Sequence, residues 1–293
     1  MTAIDILRRT RVPVACWAAA VLLVAGCAEP FDTETKVDND PIGNVIDETN
    51  LNELMLTVSN PEDAVAYFRE ASAGQPDRAD LKRGYAMALA RARRHAEAIR
   101  LFEELEQQGA STDIVRVEHA HSLARLSRWS DAENQMALVS SNIATPRRYL
   151  MDGMLADHRG DWAGADASYE RARLLSPNPA KILNNWGVSR LSRGEHAEAQ
   201  KTFEEAIAHD PRLFSIKNNL AVSRALQGQY RLPLVAMSEE ERAKLLHNVG
   251  VIALRRGDTE EAKGLFTMAV AAHPRHYAAA AEKLAALESS VVN

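Results

Sequence analysis

One recurrence constrains this chain more than any other feature. Gly187, Gly194, Ala199, Phe203, Ala206 and Pro211 reappear about 34 residues earlier as Gly153, Gly160, Ala165, Tyr169, Ala172 and Pro177. The same set returns downstream as Gly250, Gly257, Ala262, Phe266, Ala269 and Pro274. The alanine position continues upstream as Ala132, Ala98 and Ala64, and the aromatic position as Met136, Phe102 and Phe68. No unit of this size buries its apolar face alone, so the stack of units is what folds. Small residues such as Gly187 and Ala199 are expected where the two halves of a unit cross, letting backbones approach. Trp186 and Phe203 are expected to fill the gap to the next unit. Gly194 suits a turn with positive φ. Pro211 stops the preceding helix, because it cannot donate to the previous turn.

These columns resemble the tetratricopeptide repeat, a pair of antiparallel helices. The resemblance implies an all-α fold, a right-handed superhelical solenoid of helix-turn-helix repeats. The units fall at Val45–Arg78, Ala79–Thr112, Asp113–Thr145, Pro146–Pro179, Ala180–Leu213 and Ala243–His276. Between Phe214 and Arg242 the pattern falters. Phe214 to Gly228 matches a first helix, but the expected second helix meets Pro233. Ser238 and Glu241 form a capping-box pattern that starts a fresh helix. The array is therefore expected to span 45–290 with six to seven repeats, irregular at 229–242. Tyr277 to Ser290 is alanine-rich and closes it. The irregular unit reads either as a tolerated deletion or as a hinge or docking notch.

Composition agrees. Alanine is roughly one residue in six and aromatics are only 5%, which suits close helix packing and a strand-rich core poorly. A net charge of -5 argues against nucleic-acid binding by bulk charge. The only cysteines, Cys16 and Cys27, cannot build a disulfide framework or a four-thiolate zinc site.

The first 26 residues read as an address. Arg8, Arg9 and Arg11 precede an apolar run from Val12 to Val24, shorter than the about 20 residues of a bilayer span. Val24-Ala25-Gly26-Cys27 resembles the bacterial lipobox, which implies cleavage before Cys27 and acylation of its thiol. Acyl chains contribute about 0.8 kcal/mol per buried methylene, so several anchor a soluble body firmly. Ala28 stands where aspartate usually retains a Gram-negative lipoprotein at the inner membrane. The resemblance thus implies the periplasmic face of the outer membrane. A twin-arginine route is disfavoured, because the apolar residues expected directly behind Arg8-Arg9 are missing. Residues 27–44 read as an acidic flexible tether, within a stretch from Cys27 to Asp63 that holds ten acids and one base. Asp38, Asp40 and Gly43 fall near calcium-loop spacing, but Ile42 and Thr49 occupy other ligand positions, so no calcium site is expected.

No catalytic constellation is legible, and neither a metal nor a cofactor is expected. His119 and His121 are two apart and would point away from each other on a helix. His273 and His276 lack an obvious third ligand. Glutamate pairs such as Glu204-Glu205 read as solvated outer faces. The resemblance implies a concave groove lined by first helices. Three of those helices place Asn185, Asn219 and Asn248 in one column, with Asn184, Asn218 and His247 beside them. Lys181 and Lys244 lie one turn earlier. Amides that donate and accept can hold an extended backbone, and the lysines can meet a carboxylate. The alternative is that the same asparagines are consensus residues with a local structural role.

The layout of lipobox, linker and repeat array resembles the TadD lipoproteins of tight-adherence (Flp) pilus assembly. That implies a non-enzymatic adaptor whose partners are pilus or secretion proteins, a secretin among them. A secretin pilotin for type IV pili and a scaffold for murein hydrolases share the layout. An envelope enzyme, or its regulatory half, is the reading from a different class.

Overall fold

The computed structural model describes residues 48–275 and 277–290. Fourteen α-helices account for the regular structure, and no strand occurs among the described residues. The address and the tether lie outside the described residues, as does His276. No described helix is long and apolar enough to cross a membrane.

The described residues divide into two compact units, 48–155 and 156–290. The first contains α1 (Glu48–Thr57), α2 (Pro61–Gly74), α3 (Ala79–Arg91), α4 (His95–Gln107), α5 (Asp113–Arg125) and α6 (Trp129–Ala137). Helix α7 (Pro146–Arg159) runs over the division. The second contains α8 (Trp162–Leu175), α9 (Ala180–Ser192), α10 (His196–His209), α11 (Phe214–Ala225), α12 (Glu239–Arg255), α13 (Thr259–Ala272) and α14 (Ala278–Ser290).

Each regular unit of the recurrence holds two helices. The alanine column starts the buried face of the second one. Ala64, Ala98, Ala132, Ala165, Ala199 and Ala262 are all fully buried. The aromatic column follows one turn later. Phe68, Phe102, Tyr169, Phe203 and Phe266 are the largest fully buried side chains. Met136, in the same column, is only half-buried, on the shortest of these second helices.

The glycine column works differently from the expected backbone approach. A Cβ on Gly187 would collide with the ring of Phe203, and a Cβ on Gly250 would lie 2.9 Å from Phe266. The glycine therefore makes room for the aromatic ring of its own second helix. Outside that column, Gly84 also faces a ring, that of Phe68 on the preceding helix. Trp186 does reach the neighbouring unit. It stacks on Tyr169 at 6.4 Å, and its indole donates to Asp166 at 2.6 Å.

From the second repeat on, the turn after the first helix carries one residue in the left-handed region. Gly160, Gly194, Gly228 and Gly257 supply it with φ of 75 to 87°. Arg93 (φ 64°) and Ser127 (φ 61°) hold the same position with a Cβ. That conformation costs an L residue about 1–2 kcal/mol, partly offset by glycine's larger unfolded-state entropy. Both side chains are exposed. Ser127→Gly and Arg93→Gly are each expected to stabilise by about 0.5–1 kcal/mol. A urea midpoint that falls in both variants would contradict this.

The sixth repeat has a first helix, α11, and no second. Residues 226–238 contain no helix, and Pro233 lies among them, buried. Helix α12 then opens at Glu239, where the capping-box pattern placed it, one turn ahead of the repeat boundary at Ala243. Ser238 accepts from the Glu241 amide, and the Glu241 carboxylate accepts from the Ser238 amide, completing the capping box. Tyr230, Leu232 and Met237 pack on the core that Leu220, Ala221, Val249 and Phe266 share.

Candidate partner-binding face

The first helices α9, α11 and α12 carry the expected binding residues. Lys181 is exposed and Asn185 is half-buried at the surface of α9. Lys244 is half-buried, with an ion pair to Glu240 at 2.8 Å. Asn219 and Asn248 are 5% and 4% exposed. Asn248 Nδ2 donates to Asn218 Oδ1 at 2.7 Å, and Asn219 Nδ2 donates to Asn184 Oδ1 at 3.0 Å. A longer contact of 3.4 Å from Asn218 Nδ2 to Asn219 Oδ1 links the two. The amides thus bridge successive first helices.

Of the five, Lys181 is exposed and Asn185 and Lys244 are half-buried. The other two asparagines set the spacing between helices. Removing a buried bonded amide leaves its partner unsatisfied, at about 1–3 kcal/mol. Asn248→Ala is therefore expected to lower the urea midpoint clearly, and Asn185→Ala to leave it nearly unchanged. Equal effects at both positions would contradict the ladder.

Sequence reading missed three features of this face. Lys217 occupies a column otherwise held by buried Leu183 and Leu246. It is 3% exposed, and its ammonium meets Glu241 at 2.8 Å. The glutamate that caps α12 thus also neutralises a buried lysine on α11. A lysine in a leucine column was the available signal.

The second feature is Asp157. It is 5% exposed and accepts from Tyr169 at 2.7 Å and from Ser189 at 2.6 Å. Burial pushes its pKa up to about 6, against the lowering effect of those two hydroxyls.

The third is a cluster on Asp166. Arg193 binds it with both terminal nitrogens, at 2.7 and 3.1 Å, and Trp186 donates to the same carboxylate. Arg190 lies 4.1 Å over the Trp186 ring, a cation–π contact. These groups hold successive helices in register.

His119 and His121 part company as their spacing requires. His119 packs 5.4 Å from Phe102, and His121 packs 6.0 Å from His95. Among the described residues no three His, Cys, Asp or Glu side chains converge to hold a metal ion.

The fold defines a class, an all-helical repeat protein. The family model of the tetratricopeptide repeat matches two stretches of the chain, residues 56–112 and 184–231. No curated protein matches the chain. Among solved structures, the crystal structure of the APC/C hetero-tetramer Cut9-Hcn1 aligns with a TM-score of 0.55 at 16% identity. That alignment covers 85% of this chain, which spans half the length of the matched one. A tetratricopeptide repeat protein from Parabacteroides merdae ATCC 43184 aligns with a TM-score of 0.48 at 15% identity, covering 78% of this chain and 92% of that one.

Proposed function

We propose that this protein is a lipid-anchored, non-enzymatic adaptor on the periplasmic face of the outer membrane. Its repeats hold proteins of a pilus or secretion machine, in the manner of the TadD lipoproteins of Flp pilus assembly. Tetratricopeptide repeats imply a protein–protein interaction scaffold, and two matched stretches carry that repeat here. The observation that carries the reading is the first-helix face. Buried asparagines fix its spacing, while Lys181 and Asn185 stay available to a partner's backbone and carboxylates.

The anchor rests on Val24-Ala25-Gly26-Cys27, and the address on Ala28. The acidic tether supports a body held off the membrane. Cys27→Ser is expected to move the protein from the membrane fraction to the soluble periplasm. Unchanged fractionation would sink the lipid anchor and leave the repeat scaffold untouched.

A further inference from the structure

We propose that the cleft left by the missing second helix of the sixth repeat docks an extended, acidic peptide segment of a partner protein. It is separate from the first-helix face and goes beyond it.

The length of the connection creates the cleft. In the fifth repeat, α10 carries the chain back over 14 residues, about 21 Å at 1.5 Å per residue. From Gln229 to Ser238 only ten residues are available for the same return. As a helix they would cover about 15 Å, and extended about 33 Å. The connection makes the return as a thread without helix, bent at Leu234 and Val235. A thread is thinner than a helix about 10 Å across. The room it leaves is a cleft of about 640 Å³ between the second helices of the fifth and seventh repeats.

The walls are Gln200 on α10, Arg224 on α11, Arg231 on the thread, and Glu261, Leu265 and Met268 on α13. The thread itself is pinned at its start. Arg256 donates to the Leu226 carbonyl at 2.9 Å and to the Tyr230 hydroxyl, which bonds Asp258.

Three observations choose the occupant. First, no backbone N–H or C=O of residues 230–237 is hydrogen-bonded within the described residues. Apart from Pro233, every amide there is a donor, so the thread offers the edge that a second strand pairs with. Second, the thread lines the cleft through Gln229, Tyr230 and Arg231, so a segment laid in it runs alongside that backbone. An extended segment fits. Third, Arg231 is exposed and carries no ion pair among the described residues. Met268 is 47% exposed and Leu234 fully so. The matching segment places a carboxylate toward Arg231 and apolar side chains on Leu265 and Met268. Glu261 accepts one of its N–H donors.

Fluorescence anisotropy with the full-length protein tests this. The probe is a fluorescein-labelled hexapeptide alternating valine and aspartate. Saturable binding is expected. Arg231→Glu should weaken it by about tenfold or more, consistent with a desolvated charge contact. Met268→Lys should weaken it as well. N-methylation of alternate probe amides should abolish it, and Lys181→Glu should leave it unchanged. Circular dichroism of each variant should stay at the parent's helix content. No saturation, equal binding of a valine–lysine probe, indifference to Arg231→Glu, or preference for an alanine-rich acidic helical probe would each overturn the proposal.

Discussion

Replacing Gly187 by valine is expected to lower the stability of the chain by about 3 kcal/mol, at the severe end of overpacking. The reason lies in one pair of helices. The Phe203 ring on α10 sits where a side chain on Gly187 would begin. Phe203 is fully buried and cannot swing aside, because Leu220, Ala221 and Val249 share its core. The strain falls on the helix crossing that every later repeat stacks upon. A matched control is at hand. A Cβ added to Gly264, inside α13, would meet nothing within 4 Å, and this glycine has no positive φ. Gly264→Ala should stabilise by about 0.5–1 kcal/mol, the helix-propensity gain. Urea midpoints with unchanged slopes measure both. A neutral Gly187→Val would show that the glycine column is not shaped by the aromatic one.

Acid is expected to unfold the 48–155 unit first, with a steep loss of stability between pH 6.5 and 4. Burial lowers the pKa of His119 to about 4, with Arg128 adding to the effect and Glu106 and Asp131 opposing it. Burial, then Arg125, Arg93 and Arg147, bring His95 to about 4 as well. His121 is driven well below its ordinary value by burial first and by Arg147 and Arg125 next. In the unfolded chain these rings take up protons from about pH 6.5 downward, while folded His95 and His119 wait until about 4. The unfolded state binds more protons in that window, so stability is complete above pH 6.5 and is lost as pH falls. His95 and His119 each contribute about 1.4 kcal/mol per pH unit, or about 3 kcal/mol over the window, and His121 acts in the same direction.

Asp157, in the other unit, has the opposite sign. Its folded pKa of about 6 lies above the ordinary 3.8. Its contribution is full below pH 3.8 and is lost as pH rises through 6. Hydrogen exchange at pH 5 should therefore show faster opening in α4 and α5 than around α8 and α9. His119→Leu should flatten the acid limb by about one proton. A stability that stays level from pH 7 to 4.5 would contradict the burial of these rings.

The repeat was legible because a 34-residue period leaves the same residue types at the same contacts. Alanine and aromatic columns mark burial, proline marks helix ends, and Pro233 marks the missing helix. The purpose of the glycine column was less legible. A glycine permits close approach by either a backbone or a ring, and only the packing shows that Phe203 fills the space. The asparagine column showed a similar ambiguity. An amide can serve a partner or a neighbouring helix, and sequence does not say which face is covered. Asn219 and Asn248 bond across repeats, while Asn185 stays nearer the surface. Lys217 was signalled only by standing in a leucine column, and Asp157 by nothing in the sequence. Their burial depends on Glu241, Tyr169 and Ser189, brought in by other helices.

The central claim is that the first-helix face captures a protein of the assembly machine. Photo-crosslinking in intact cells tests it directly, with the photoreactive residue placed at Asn185 and, as a control, at exposed Glu205 on α10. The account predicts a crosslink to a pilus or secretion component from position 185 alone, lost on Lys181→Glu while the thermal melt stays unchanged. A crosslink to that component from Glu205 and none from Asn185 would contradict it.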